Sequence, residues 1–294
     1  MPRLNSYALG LALVLALGQA TFAQQANAPA QAAAEETKQL DAVSQEAAKL
    51  EADLNKFKDT APEAAEVLVK LVDLYHQHGR AFGLIRAGQR FSAAHPNDPR
   101  NQAVMLKLID GLGFDKVHWC GHSTGGAMGQ VLAIEHAPRI DRLVLSATWA
   151  KTDAFFRRLF EVRALMLREL GPEAYTKSSA LALNMPSWIR DHDADLVAAE
   201  ARAKETIPEP EIVLSRIAAI VAHDRREQLQ KVKAPSLAIC ARDDMVTPLY
   251  FTEELVRLIP NARAYVLPDG GHFFPSVHGG EFRRVITSFL LESR

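Results

Sequence analysis

The segment from Lys116 to His136 constrains this chain more than any other. Lys116-Val117-His118-Trp119-Cys120 is an apolar stretch that reads as a buried strand. It runs directly into Gly121-His122-Ser123-Thr124-Gly125-Gly126, and Ala127 to His136 continues as a helix. A strand, a G-x-S-x-G turn and a helix in succession point to an α/β architecture with a serine at the apex of a tight elbow. Such a turn lifts the hydroxyl clear of the sheet, and the small residues Gly121 and Gly125 let strand and helix approach. An ordinary Gly/Ser turn is the alternative, and the flanking strand and helix weigh against it.

Two further pieces follow downstream. Ser236 to Cys240 is a strand-like apolar run leading to Ala241-Arg242-Asp243-Asp244-Met245-Val246-Thr247-Pro248. An acid just past a strand end can reach a neighbouring imidazole. Ala264 to Leu267 then forms the last strand, followed by Pro268-Asp269-Gly270-Gly271-His272. Taken singly, a loop Asp is usually a turn residue, and a loop His is usually structural or solvated in a chain with 10 of them. Together, a serine, an acid and a histidine each follow a strand, in an order suited to nucleophilic acyl chemistry.

With those residues in place, the chain from about Asp115 to Leu291 resembles the α/β-hydrolase superfamily. Within it, the chain is similar to the 3-oxoadipate enol-lactonases and to the aminoacrylate hydrolases of pyrimidine breakdown. HWCGHSTGGAMGQVLA, LAICARDDMVTP and LPDGGHFFP match superfamily motifs, while RIDRLVLSATW and DAFFRRLFEVR resemble the branch. The resemblance implies Ser123 as nucleophile, Asp243 as acid and His272 as base, with Asp244 as the alternative acid. Ser123 would attack an acyl carbon while His272 takes its proton and the acid holds the imidazole. The backbone N–H of Thr124 would donate to the oxyanion, and Gly121, His122 and Gly125 would complete the elbow. The implied substrate is a small carboxylic ester, lactone or related acyl compound, handled without metal or organic cofactor.

The resemblance also implies a helical cap over the site from about Thr152 to Gln230, a stretch rich in helix formers with breaks at Pro172, Pro186 and Pro208-Glu209-Pro210. Phe155, Phe156, Met185 and Trp188 either line its pocket or pack the cap itself. Arg157 and Arg158 either meet an anionic substrate or form a solvated helix face. One departure is large. A complete member places four strands and a helix before the helix that leads to the elbow, including a His-Gly-type loop that gives the second oxyanion hydrogen bond. Here that length holds other sequence, and His78-Gly79 sits in helical pattern rather than after a strand. The expected fold is therefore a partial α/β-hydrolase sheet with a helical cap over residues 101–294, preceded by an all-α region. The elbow strand would be left with an edge to be covered.

The amino-terminal part reads differently. Arg3, an apolar run from Tyr7 to Leu17 and Thr21-Phe22-Ala23 make a secretory signal, with cleavage after Ala23 and a periplasmic or secreted product. Eleven apolar residues would span about 16 Å of helix against roughly 30 Å of hydrocarbon, too short for a retained anchor. Residues 24–38 read as a polar linker. Leu40, Val43, Ala47, Leu50, Leu54 and Phe57 then recur at spacings of three and four, as in an amphipathic helix or short coiled coil. Pro62 opens a second helix behind Thr60 as cap, Gly79 suits its end, and a third runs from about Ala81 to Ala94. LVDLYHQHGRAFGLIRAGQRFSAAHPNDP looks like one tetratricopeptide-type hairpin, so residues 39–100 are the place for a protein partner or self-association.

Composition closes off other classes. The 294 residues are 48% hydrophobic and 23% charged, an ordinary globular mixture, and the net charge of −1 offers no field to gather nucleic acid. In the family order the strands ending at Cys120 and Cys240 flank a third, so the two thiols lie about 9–10 Å apart, beyond disulfide reach. Two functional readings stand side by side: a secreted serine hydrolase, and a catalytically inactive interaction protein whose helical repeat binds a partner beside a remnant hydrolase domain. A misassembled frame with no stable fold is a third.

Overall fold

The computed structural model describes residues 13–15, 30–96 and 98–292, the first of these and residues 30–41 by backbone alone. The chain divides into two compact units, Ala16–Asp115 and Lys116–Arg294 together with Met1–Leu15.

The first unit is helical. Its helices are α1 (Ala30–Leu54), α2 (Pro62–Gln77), α3 (Ala81–Ala94) and α4 (Asn101–Gly111). The polar linker expected over 24–38 is helix from Ala30, the remaining residues lying outside those described. Ala, Gln and Glu are strong helix formers, and absence of an apolar stripe is not absence of helix. Val43, Ala47 and Leu54 are buried as their spacing requires, but Phe57 falls beyond the helix end and stays 37% exposed. Ala61 takes the N-cap of α2 in place of Thr60, without a side-chain cap, and Gly79 turns the chain after α2 at φ 62°. Leu68, Leu71, Leu84 and Phe91 form one core with Val104 of α4. The helix expected to begin the hydrolase part at residue 101 thus packs into the helical unit, which ends at Asp115.

The second unit is built on a sheet of order β1-β2-β3-β4-β5: β1 (Leu13–Leu15), β2 (Val117–His122), β3 (Ile140–Ser146), β4 (Ser236–Ala241) and β5 (Ala262–Leu267). The last four are parallel, as strands joined by helical crossovers must be. Every residue of β4 is buried, consistent with a position inside the sheet. β1 pairs antiparallel on the outer edge of β2, Leu13 opposite Cys120 and Leu15 opposite His118. It lies within the apolar run assigned to the export signal; the rest of that segment lies outside the described residues. Cys120 and Cys240 are free thiols on strands separated by β3.

Helix α5 (Thr124–Glu135) follows β2. The cap is an insertion between β3 and β4, comprising α6 (Ala154–Leu165), a π-helical continuation Met166–Leu170, α7 (Gly171–Leu183), α8 (Pro186–Asp191), α9 (Asp193–Ala201), α10 (Ala203–Thr206) and α11 (Pro210–Ala222). Its two stems are tied where Lys151 bridges Asp224, by an isolated antiparallel pair and a 2.6 Å ion pair. Phe156, Phe160, Tyr175 and Ile217 of the cap share a core with Ala127, Trp149, Val246 and Phe251 below it. Helices α12 (Leu249–Leu258), α13 (Phe274–Val277) and α14 (Gly279–Leu290) complete the unit.

Candidate active site

Ser123 sits between β2 and α5 with φ 54° and ψ −118°, one of two non-glycine residues with positive φ among those described. This strained conformation is held from both sides. The Ser123 N–H donates to Ser146 O at 2.7 Å, and its carbonyl accepts from Gly126 N–H at 2.9 Å. A Cβ at Gly121 would lie 2.1 Å from the Gly125 carbonyl oxygen, so strand and helix can close only on glycine there. Gly125 itself faces open space. The other close approaches are at Gly126, against Thr148, and Gly129, against Trp119, neither of which the motif singled out. Thr124 is the first residue of α5, so its N–H has no helical carbonyl to meet and lies at the positive end of the helix.

The serine hydroxyl is 3.0 Å from His272 Nε2, and His272 Nδ1 is 2.9 Å from Asp244 Oδ2. Asp244 and His272 are each only 3% exposed. Asp243, expected to hold the imidazole, does not touch it. It is exposed, and its Oδ1 accepts the Gly271 N–H at 2.9 Å, bracing the histidine loop from outside. β4 ends at Ala241, one residue beyond the expected Cys240, and in the turn that follows Asp243 lies outward and Asp244 inward. Asp244 is anchored further by Val246 N–H at 2.8 Å, Thr247 N–H at 2.9 Å and the Thr247 hydroxyl at 2.8 Å. Burial alone would raise its pKa, but the imidazole beside it and these donors outweigh that and hold it below the ordinary carboxylate range. Thr247 was missed in the sequence, where its only signal was its place three residues past the acid.

His122, the variable residue of the elbow, packs its ring 5.0 Å from that of His272 and hydrogen-bonds Ser146 Oγ through Nδ1 at 2.9 Å. Burial, with the charge of His272 next, pushes its pKa down to about 3, so it stays neutral. The cap reaches the same loop: Leu183 O, at the end of α7, accepts the N–H groups of His272 at 3.0 Å and Phe273 at 3.3 Å. Gly271, with φ 61°, makes this possible, since a Cβ there would stand 3.1 Å from Leu183 O and from Met185 N.

The cap residues divide as follows. Phe156 is fully buried against Trp149, Phe160 and Phe251, so it packs the cap. Phe155 is 42% exposed, and half-buried Trp188 stacks on His192 at 4.1 Å. Met185 adjoins the histidine loop through its backbone. Arg157 and Arg158 are on an exposed helix face. Beside the elbow, β1 runs opposite to β2, so among the described residues no parallel strand delivers a second N–H to Ser123. No group of three or more His, Cys, Asp or Glu is placed to hold a metal among those residues.

Comparison with known proteins agrees with this fold. The family described as alpha/beta hydrolase fold matches residues 73–278. A protein of Caulobacter sp. (strain K31) named as the carbamate hydrolase RutD is 33% identical over 203 residues, covering 68% of this chain and 76% of that one. Its namesake in Azorhizobium caulinodans is 35% identical over 188 residues, covering 64% and 71%. The crystal structure of the enol-lactonase from Burkholderia xenovorans LB400 superposes with a TM-score of 0.57 at 26% identity, over 64% of this chain and 70% of that one. Because the match runs through elbow, cap and histidine loop alike, this chain belongs to the α/β-hydrolase family and is a hydrolase.

Proposed function

We propose that the chain cleaves a small ester, lactone or related acyl substrate through an acyl-enzyme on Ser123. The observation that carries this reading is the unbroken relay from Ser123 Oγ to His272 Nε2 at 3.0 Å and from His272 Nδ1 to Asp244 at 2.9 Å. His272 takes the hydroxyl proton as Ser123 attacks the carbonyl carbon, and Asp244 fixes the ring tautomer and stabilises the imidazolium. The Thr124 N–H donates to the oxyanion. His272 then returns the proton to the leaving group, and water repeats the sequence to release the acid. The names of the relatives, a carbamate hydrolase and an enol-lactonase, both describe a carbonyl bonded to a heteroatom leaving group, and this supports the substrate class. Export with cleavage after Ala23 belongs to the same proposal and rests on the composition of residues 1–23.

Fluorophosphonate labelling of the purified protein, read by peptide mass with Ser123→Ala as control, tests it without knowledge of the natural substrate. A single adduct on Ser123 is expected. One observation favours a second reading, a non-catalytic interaction protein: among the described residues, no parallel strand lies on the outer edge of β2 to complete the oxyanion site. Folded protein that takes no adduct would favour that reading.

A further inference from the structure

Large apolar side chains seldom cluster on a surface that has nothing to bury them against. On this chain they cluster on the cap. Phe155, Val162, Leu165 and Leu170 are all exposed on α6 and its π-helical continuation, Val162 by 49% and Leu165 by 53%. Phe155, Val162 and Leu165 recur at i, i+7 and i+10, so they share one face of the helix. Beside that face a groove of about 470 Å³ runs between α6 and α11. Val162 and Leu165 of α6 and Leu214 and Val221 of α11 form its walls, and buried Ala164 and Ile217 its floor.

The charges along the groove say what covers it. Glu161 and Arg168 both line it and both are exposed. About two helical turns, roughly 10 Å, separate them, too far for them to neutralise each other. A helix laid antiparallel against α6 pairs with both if it carries the same charges in the same chain order, and α6 itself does. A two-fold axis between Ala164 and Leu165 sets Glu161 of each copy opposite Arg168 of the other. The same axis leaves Arg158 about two residues, or roughly 3 Å, from a position directly opposite the other copy's Glu169, within reach of an arginine side chain. Along α6 no like charges then meet. We propose that the α6–α11 face of the cap is the interface of a two-fold dimer of this chain, with Val162 and Leu165 of each copy seated in the groove of the other. A lipid surface selects a uniformly basic rim, which Glu161 and Glu169 break. The dimer stands or falls independently of the reaction at Ser123.

Sedimentation velocity of the full chain tests this. Specific interfaces hold with dissociation constants from about micromolar downward, so a dimer is expected at about 50 µM. Leu165→Asp puts a charge at the centre of the face and should raise the dissociation constant at least about 100-fold. Because Leu165 is exposed, the variant should keep a cooperative melt. Glu161→Arg and Arg168→Glu should each weaken the dimer about tenfold or more, since either change sets like charges opposite each other at both ends of the interface. Mixed together, these two single variants should form a one-to-one heterodimer within about threefold of the parent's affinity, each supplying the sign the other has lost. Native mass spectrometry identifies the mixed species, and the charge pair decides alone if Leu165→Asp does not fold. Association through the edge of β2 would survive Leu165→Asp, so that variant is also the background in which edge pairing is read. A full chain that stays monomeric at the same concentration overturns the dimer; saturable anilinonaphthalene sulfonate binding that Leu165→Asp abolishes would then make the groove a small-molecule site. A dimer indifferent to Leu165→Asp, or single charge variants whose mixture associates no better than either alone, would overturn it equally.

Discussion

Replacing Asp244 by Asn tests the site at its most exacting point. Asp244 Oδ1 accepts the N–H groups of Val246 and Thr247, at 2.8 and 2.9 Å, while Oδ2 faces the Thr247 hydroxyl and His272 Nδ1, at 2.8 and 2.9 Å. The two backbone N–H groups can only donate, so an asparagine must keep its carbonyl oxygen toward them and turn its NH2 toward the histidine. Nδ1 then has to accept, the ring proton moves to Nε2, and Nε2 can no longer take the proton of Ser123. Trapping the wrong tautomer in a triad of this kind costs about 10⁴ in kcat, which is about 5.5 kcal/mol of transition-state stabilisation. The same order is expected here, with the fold retained because all of the backbone hydrogen bonds survive.

Asp243→Asn is the matched control. Its oxygen can still accept the Gly271 N–H, and the side chain is exposed, so a change below about threefold is expected. Both variants are measured by the rate of fluorophosphonate labelling and by hydrolysis of a p-nitrophenyl ester, with circular dichroism to confirm folding. A loss above about 10³ in Asp243→Asn, with Asp244→Asn within tenfold of the parent, would refute the assignment of the acid.

Other perturbations follow from the same contacts. Gly271→Ala places a Cβ at φ 61° against the backbone of Leu183 and Met185, so a loss of about 1–2 kcal/mol in stability and more than about tenfold in kcat is expected, checked by urea melts and ester turnover. His122 and His223 have pKa values pushed by burial to about 3 and about 4, below the ordinary histidine value. The unfolded chain therefore binds the extra protons as the pH falls below about 6.5, so stability is full above that value and declines toward pH 3–4. Thermal melts at pH 7 and pH 5 should show the fall, and His122→Gln should reduce it; an unchanged difference would count against a neutral His122.

What was legible in the sequence was what depends on local pattern. The elbow, the helical hairpin and the strands near Cys120, Cys240 and Leu267 all follow from apolar runs and glycines a few residues apart. The failures share a different cause, namely that the deciding partner is remote in sequence. Asp243 and Asp244 are adjacent acids in one turn, and only the position of His272, 28 residues on, distinguishes the one that meets it. The motif glycine Gly121 does make the tight approach, against the Gly125 carbonyl, but the further ones are at Gly126 and Gly129, whose neighbours Thr148 and Trp119 come from other elements. Arg163 was not singled out in the sequence, and the contacts of α6 with Tyr175 and Ser179 of α7 bury it.

The edge of the sheet poses the last test. Leu13–Leu15 cannot serve both as part of a cleaved export signal and as the strand that covers β2. With cleavage after Ala23, as proposed, β2 keeps its pairing to β3 but presents the unpaired edge of Cys120, Trp119 and His118. Three residue pairs contribute little to stability, and Ser123, Asp244 and His272 are placed by β2 in its pairing with β3, by the turn after β4 and by the histidine loop. Residues 24–294 should therefore fold and label at Ser123 much as the full chain does. They should also self-associate in a concentration-dependent way, because an uncovered edge is a template for another strand. Sedimentation velocity over a hundredfold range of concentration separates the cases. A monomeric 24–294 with unchanged labelling would mean that the β2 edge is protected by something other than β1. Loss of labelling on removing residues 1–23 would mean that β1 supports the elbow itself, and the leader reading of this segment would have to be given up.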